Sequence, residues 1–146
     1  MKIRLMWAGK TKEQFIIEGI RKYLKLLKPY AEVEISEIKE EKGKDIQRIQ
    51  EKEGERILNL KTHYVLLDEK GKTFTSAEFA EFIGKHRPAI NFVLGGAYGV
   101  SEKVKEMAKE RIALSKMTLT HEMSRILLLE QIYRAFTIIN KRGYHH

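Results

Sequence analysis

Four stretches near the end of the chain decide its reading: INFVLGGAYGVSE (90–102), RIALSKMTLTHEM (111–123), RILLLEQIYRAFTIIN (125–140) and the closing RGYHH (142–146). Two short apolar strands each run into a loop, and the second loop runs into a helix with little polar face. Open α/β sheets build their ligand sites this way, at the carboxyl ends of strands. The segment is therefore expected to hold a nucleoside cofactor. The terminal Tyr-His-His is a second signal, because polar aromatic groups at a chain end cost ordering entropy and add no core packing. A frayed end is the plain alternative.

The upstream sequence extends the same pattern. Ile3, Leu5 and Trp7 alternate as in a half-buried strand. Thr11 fits as the cap of a helix through Phe15, Ile16, Ile20, Tyr23, Leu24 and Leu27, ending at Pro29. Ala31, Val33 and Ile35 alternate with polar residues and predict a strand near an edge. After the solvated loop Lys39–Lys44, Asp45 caps a helix with apolar Ile46, Ile49, Ile57 and Leu60, interrupted by Glu53 and Gly54 and expected outside. Tyr64–Leu67 reads as a buried strand ending at Asp68, followed by a loop through Lys72. Thr75 to Glu78 fits a capping box. Pro88 precedes a strand over Asn91–Leu94, Ser101 caps the next helix, and Arg111–Leu114 forms a fifth strand. The last helix starts at His121 or Glu122 and stops at Gly143. This βα alternation predicts one α/β domain over 1–146, with a mostly parallel sheet and helices on both faces.

The last helix is apolar nearly all round, from Met123 and Ile126 to Ile138 and Ile139, so it must be covered on more than one side. A second copy of the chain meets that need, giving an expected homodimer with this helix at its interface. A central core helix in a monomer is the alternative.

Composition narrows the function class. The chain has 146 residues, 42% apolar, 33% charged and no cysteine, which excludes disulfides, Cys-ligated zinc and a thiol nucleophile. Mean hydropathy is -0.42, and no apolar run reaches the ~20 residues of a membrane span. A short N-terminal apolar stretch fits no signal peptide, so a cytoplasmic protein is expected. The net charge of +8 favours a polyanion partner or serves solubility alone, at even odds.

Individual motifs are weaker. Gly95-Gly96-Ala97-Tyr98-Gly99 lacks the full dinucleotide spacing and reads equally as a tight turn. Gly71-Lys72-Thr73 resembles the end of a phosphate loop, but Leu66 stands where its first glycine belongs, so a nucleoside triphosphate site is rejected. The five histidines form no HExxH pair and join no carboxylate cluster, so no metal is expected. His121 at a helix start reads as a local hydrogen-bond partner.

Taken together, VLLDEKG, FVLGGAYG, LSKMTLTH, the EQIYRAF helix and the terminal YH resemble the RlmH family, small methyltransferases of the SPOUT superfamily. KIRLMWAGK and EKEGERIL extend the resemblance over the whole chain. It implies a Rossmann-like sheet with a deep C-terminal trefoil knot, S-adenosylmethionine bound within about residues 64–146, and a homodimer. The implied reaction methylates N3 of a pseudouridine in 23S large-subunit ribosomal RNA on assembled ribosomes. Carried onto this chain, the cofactor residues are Leu67, Gly95, Leu114, Ser115, Lys116, Met117, Thr118 and Leu119. Thr120 departs from the family's usual proline, and His146 from its usual Arg or Lys.

A sulfonium methyl is already activated, so the protein mainly holds the acceptor nitrogen in line and stabilises its deprotonated form. His145 is the candidate base and Tyr144 a stacking or hydrogen-bonding partner for the nucleobase. Arg134 and Arg142 are candidates to meet phosphate or carbonyl oxygens. The rival classes are a non-catalytic RNA-binding protein and a Rossmann-type oxidoreductase. The intact LSKMTL loop and YH end oppose the first, and the missing acidic ribose residue opposes the second.

Overall fold

The computed structural model describes residues 1–146. Its elements alternate: β1 (Lys2–Ala8), α1 (Gln14–Leu27), β2 (Glu32–Ile38), α2 (Ile46–Leu58), β3 (Val65–Thr73), α3 (Ser76–Lys85), β4 (Ala89–Leu94), α4 (Glu102–Met107), β5 (Glu110–Ala113) and α5 (His121–Ile139). The strands form one sheet in the order β2-β1-β4-β3-β5, and every pairing is parallel. The alternating β2 is an edge strand, as its one wet face requires.

Strand alternation sorts the core into two layers. Ile3, Leu5, Trp7, Val65, Ile90, Phe92 and Leu94 face α1, α3 and α5. Met6, Tyr64, Leu66 and Val93 face α2 and α4. The Tyr64 hydroxyl satisfies itself by donating to the carbonyl of Val104 at 2.6 Å. The predicted caps at Asp45, Thr75 and Ser101 accept from the N–H groups of Arg48, Glu78 and Val104.

Several local expectations are corrected. Thr11 does not cap α1; its hydroxyl accepts from Arg125 Nη1 at 2.9 Å. The two residues leading into that helix are held from afar, because Lys12 and Glu13 donate their backbone N–H groups to the Glu122 carboxylate at 3.0–3.2 Å. Glu53 and Gly54 do not interrupt the packed face of α2 but lie on it, buried with Ile49 and Ile57, while Ile46 and Leu60 are exposed. A Cβ at Gly54 would lie 2.7 Å from Ser101 Oγ, so glycine lets α2 and α4 approach closely. Burial raises the Glu53 carboxyl above its ordinary value, although the N–H of Glu41 donates to it at 3.0 Å. Helix α5 ends at the Asn140 cap with Lys141 in the left-handed region, before Gly143.

The largest correction concerns β3. It does not stop at Asp68 but slips by several residues, so that both Leu67 and Lys72 pair with Ile112. Gly71 makes the slip possible, because a Cβ there would stand 2.7 Å from the backbone carbon of Arg111 and the nitrogen of Ile112. Gly71→Ala is therefore expected to cost about 2 kcal/mol by overpacking against rigid backbone. A lower urea midpoint at unchanged slope is the readout.

The burial of α5 is explained within one chain further than periodicity implied. The sheet lies under Leu128, Leu129, Ile132, Ala135 and Phe136, and α1 and α3 flank the helix on its two sides. Its other apolar residues, among them Met123 and Leu127, are only half-buried.

Candidate active site

At the carboxyl ends of β3, β4 and β5 lies a cleft of about 610 Å³, within the range of small-molecule sites. Leu67, Gly95, Leu114, Ser115, Met117, Thr118 and Leu119 all line it. Lys116 does not; it is exposed on the outside of the same loop. The loop is held locally: Ser115 Oγ accepts from the N–H of Met117 at 2.9 Å, and the Thr118 hydroxyl donates to Glu69 Oε2 at 2.7 Å.

The glycine loop forms the opposite wall. A Cβ on Gly95 would meet the Cα of Gly99 at 3.1 Å and its carbonyl carbon at 3.2 Å, so the turn closes only around glycine. Gln50, which sequence pattern did not single out, reaches across from α2 and donates from Nε2 to the Tyr98 carbonyl at 2.6 Å. Leu67, Leu114 and Leu119 offer an apolar surface suited to a purine ring. Asp68 and Glu69 bring carboxylates suited to a cationic sulfonium. No group of His, Asp and Glu capable of holding a metal is present. The residues therefore fit the cofactor expected from the resemblance.

The far end of the loop is anchored by α5. Thr120 is its N-cap, the side chain accepting from the N–H of Met123 at 3.2 Å, so the residue that departs from the family's proline starts the helix by its own chemistry. One turn on, Arg125 is fully buried with its guanidinium 4.7 Å above the Trp7 ring. It donates to the Ala8 carbonyl at 2.9 Å as well as to Thr11. Burial opposes ionisation of the neighbouring Glu122. The N–H groups of Glu13 and Lys12, followed by the Arg125 charge, outweigh it and hold the carboxyl below its ordinary value. His121, also in the cleft wall, is held below its ordinary value by burial and then by Arg125.

The tail assembles elsewhere. Tyr144 packs edge-on against Tyr133 at 4.8 Å between centroids and donates its hydroxyl to Glu130 Oε1 at 3.2 Å. Burial, then contact with the Tyr23 hydroxyl and with Glu130, pushes the phenol well above its ordinary value. Arg134 lies 4.7 Å over the Tyr144 ring, donates to Glu130 through Nε and Nη2, and places Nη1 3.1 Å from His145 Nδ1. Arg142 joins this group only through its backbone, its N–H donating to the Thr137 carbonyl at 2.7 Å, and its side chain is exposed.

Cleft and tail are thus two separate clusters. In a parallel sheet the crossover helices run against the strands, so α5 leaves the cleft at Thr120 and carries the tail toward the other end. From Ser124 in the cleft wall to Arg134 the helix advances about 15 Å at 1.5 Å per residue. Within one chain the tail residues touch none of the cleft lining.

Comparison with known proteins places these features in a family. The family model described as "Predicted SPOUT methyltransferase" matches residues 1–145. A Thermodesulfovibrio yellowstonii protein named ribosomal RNA large subunit methyltransferase H is 49% identical over 146 residues, covering 99% of both chains. A Geotalea uraniireducens protein of the same name is 46% identical over 153 residues, covering 100% of both. Among solved structures, a probable methylase family protein from Haemophilus influenzae superposes with a TM-score of 0.61 at 12% identity, over 99% of this chain and 70% of that one. A putative Legionella pneumophila methyltransferase, solved with the bound cofactor SAM, gives a TM-score of 0.53 at 14% identity, over 93% of this chain and 66% of that one. Near-full-length identity of this order, on a parallel sheet with its cleft at the strand ends, shows that the chain belongs to the SPOUT methyltransferases and, among them, to the RlmH family.

Proposed function

We propose that this chain transfers a methyl group from S-adenosylmethionine to N3 of a pseudouridine in 23S ribosomal RNA, acting on assembled ribosomes as a homodimer. One observation carries the reading: seven of the eight residues that the family resemblance assigns to the cofactor meet in one cleft at the strand ends. Bound S-adenosylmethionine supplies an activated methyl group. The chain's own work is to hold the cleft in shape, exclude water and present the acceptor nitrogen in line. Leu67, Leu114 and Leu119 hold the apolar part, the Leu114–Leu119 backbone wraps it, and Gly95 allows the close approach. The loop over 115–120, entering α5 directly, is where the deep knot of the family is drawn.

His145 takes the N3 proton on Nδ1, whose lone pair accepts from Arg134 in the free chain and is released when RNA engages the guanidinium, and Tyr144 offers a face for the uracil ring. Because the tail is anchored at Glu130 and Arg134, about 9–15 Å along α5 from its own cleft, the working site joins the cleft of one copy to the tail of the other. The half-buried Leu127 lines a hollow of about 300 Å³ together with Phe74 and Phe79, and Met123 is half-buried one turn earlier. That surface is where a second copy seats.

Two measurements test the reading. Calorimetry should give tight, stoichiometric S-adenosylmethionine binding; no binding sinks the proposal, and binding of NADH instead points to an oxidoreductase. Labelled methyl transfer to ribosomes, free large subunits and naked RNA, followed by mapping of the modified base, identifies the substrate. Methyl incorporation into none of the three removes ribosomal RNA as target.

A further inference from the structure

Charge is unevenly spread along this chain. Residues 19–31 and 131–146 hold seven of the 28 Lys and Arg side chains and none of the 20 Asp and Glu side chains. All the remaining side chains together are therefore within one charge of neutral. The two segments are neighbours in the fold, since Tyr23 and Tyr133 pack with ring centroids 6.2 Å apart and Tyr30 stacks on Phe136 at 5.9 Å. Nearly the whole net charge therefore sits on one face, made by the second halves of α1 and α5 and the tail.

The arrangement on that face is regular. Arg21, Lys25 and Lys28 recur at i, i+4 and i+7 and form one stripe of α1, with Lys22 beside it. All four are exposed, and none enters an ion pair, whereas Lys2, Arg4 and Lys12 on the adjoining strands and loop each do. Lys141, whose left-handed φ of 54° turns the chain back, and Arg142 add two more exposed cations beyond the end of α5. The bordering carboxylates lie at the margins: Glu18 accepts from Gln14 Nε2, Glu130 is taken up by Arg134 and Tyr144, and Glu32 faces Lys2.

We propose that this stripe, Arg21, Lys22, Lys25 and Lys28 continued by Lys141 and Arg142, docks the phosphate backbone of the RNA that flanks the target base. The proposal rests on the reading of the chain as a ribosomal RNA methyltransferase and assigns it a substrate surface. The tail meets α1 through the Tyr23 hydroxyl, so a strand held on the outer side of α1 reaches the tail by passing round that helix. The face suits phosphates better than its competitors. It carries none of the chain's large exposed hydrophobic side chains, so it offers nothing to insert into a bilayer. Two copies pressed together on it would oppose six unpaired cations on each side, Arg134 alone being neutralised by Glu130. Along α1, Arg21 to Lys28 spans about 10 Å, enough to meet two successive phosphates.

The test compares the wild type with R21Q/K25Q/K28Q in direct binding to ribosomes over a salt series, beside methyl transfer and S-adenosylmethionine affinity. The variant is expected to bind ribosomes at least about tenfold more weakly near 0.1 M salt, with the slope of log affinity against log salt reduced by about 2–3. Its KM for ribosomes rises accordingly, its kcat at saturation stays within about twofold, and cofactor affinity is unchanged, because phosphate contacts position the substrate and do no chemistry. A K25R/K28R variant keeps wild-type binding. Equal affinity and equal slope in wild type and triple variant overturn the proposal, as does preference for phosphatidylserine vesicles over ribosomes. Salt-sensitive binding lost in the variant, with no methyl transfer by either protein, sinks the enzyme reading and leaves the docking surface standing. Should the triple variant melt early, single K25Q and K28Q variants give the same comparison with a slope change of about 1.

Discussion

Changing His145 to Ala is expected to cut methyl transfer at least about a hundredfold, the usual contribution of a positioned base, while cofactor affinity stays within about twofold. The separation of the two effects follows from position. His145 is exposed, contacts Arg134 at 3.1 Å, and touches no residue of the cleft, so its loss leaves the cofactor walls intact. Calorimetry and labelled methyl incorporation measure the two sides. Unchanged turnover would remove the tail from the mechanism. Mixing with Gly95→Val sharpens the result, because a side chain at Gly95 collides with Gly99 and closes the cleft of that copy. If tail and cleft work across two copies, the mixture of two inactive proteins recovers about a quarter of wild-type activity per chain, from random exchange of subunits. No recovery would return both functions to one chain.

Arg125→Met is expected to destabilise the chain by about 2–4 kcal/mol, because it removes both hydrogen bonds of a buried guanidinium and leaves their acceptors unsatisfied. Methionine matches the length of the stem but leaves the Ala8 carbonyl and Thr11 hydroxyl without their donor. It also strips Glu122, whose carboxylate holds the start of α1, of its neighbouring cation. Urea melts of the variant measure the loss; a drop below about 1 kcal/mol would show the guanidinium to be dispensable. The pH dependence has a definite sign. The Glu122 carboxyl is depressed in the folded chain, so its contribution is complete above the ordinary value of 4.5 and fades as pH falls through the depressed one. Glu122→Gln should lower stability near neutrality and flatten that acid limb.

The alternation of elements was legible because strand and helix periods differ and because Asp45, Thr75 and Ser101 announce their helices locally. Residues such as Leu67, Gly95 and Leu114 were legible as a site only through the family resemblance, since spacing alone left the glycine loop equal to a plain turn. What stayed hidden depends on partners distant in the chain. Glu122 anchors the turn into a helix that begins about a hundred residues earlier, and no local pattern marks a carboxylate for that task. The continuation of β3 through Lys72 is dictated by the edge of β5, so its charged residues read as loop. Glu53 and Gly54 looked like breaks in an apolar line because close helix packing rewards a small residue as much as a greasy one. The tail was singled out, but its distance from the cleft came only from the direction in which α5 runs.

The turn from Thr120 to Arg125 closes the Leu114–Leu119 loop of the cleft on one side and holds the lead into the first helix on the other. Occupancy of the cleft and integrity of the N-terminal half are thereby tied through a single turn of helix. A ligand that binds only the native form adds about 2.7 kcal/mol at a hundredfold excess over its dissociation constant. That gain reaches the β1–α1 junction as well as the loop. Cofactor-loaded molecules are therefore expected to resist proteolysis longer than empty ones, which pulse proteolysis with and without S-adenosylmethionine measures.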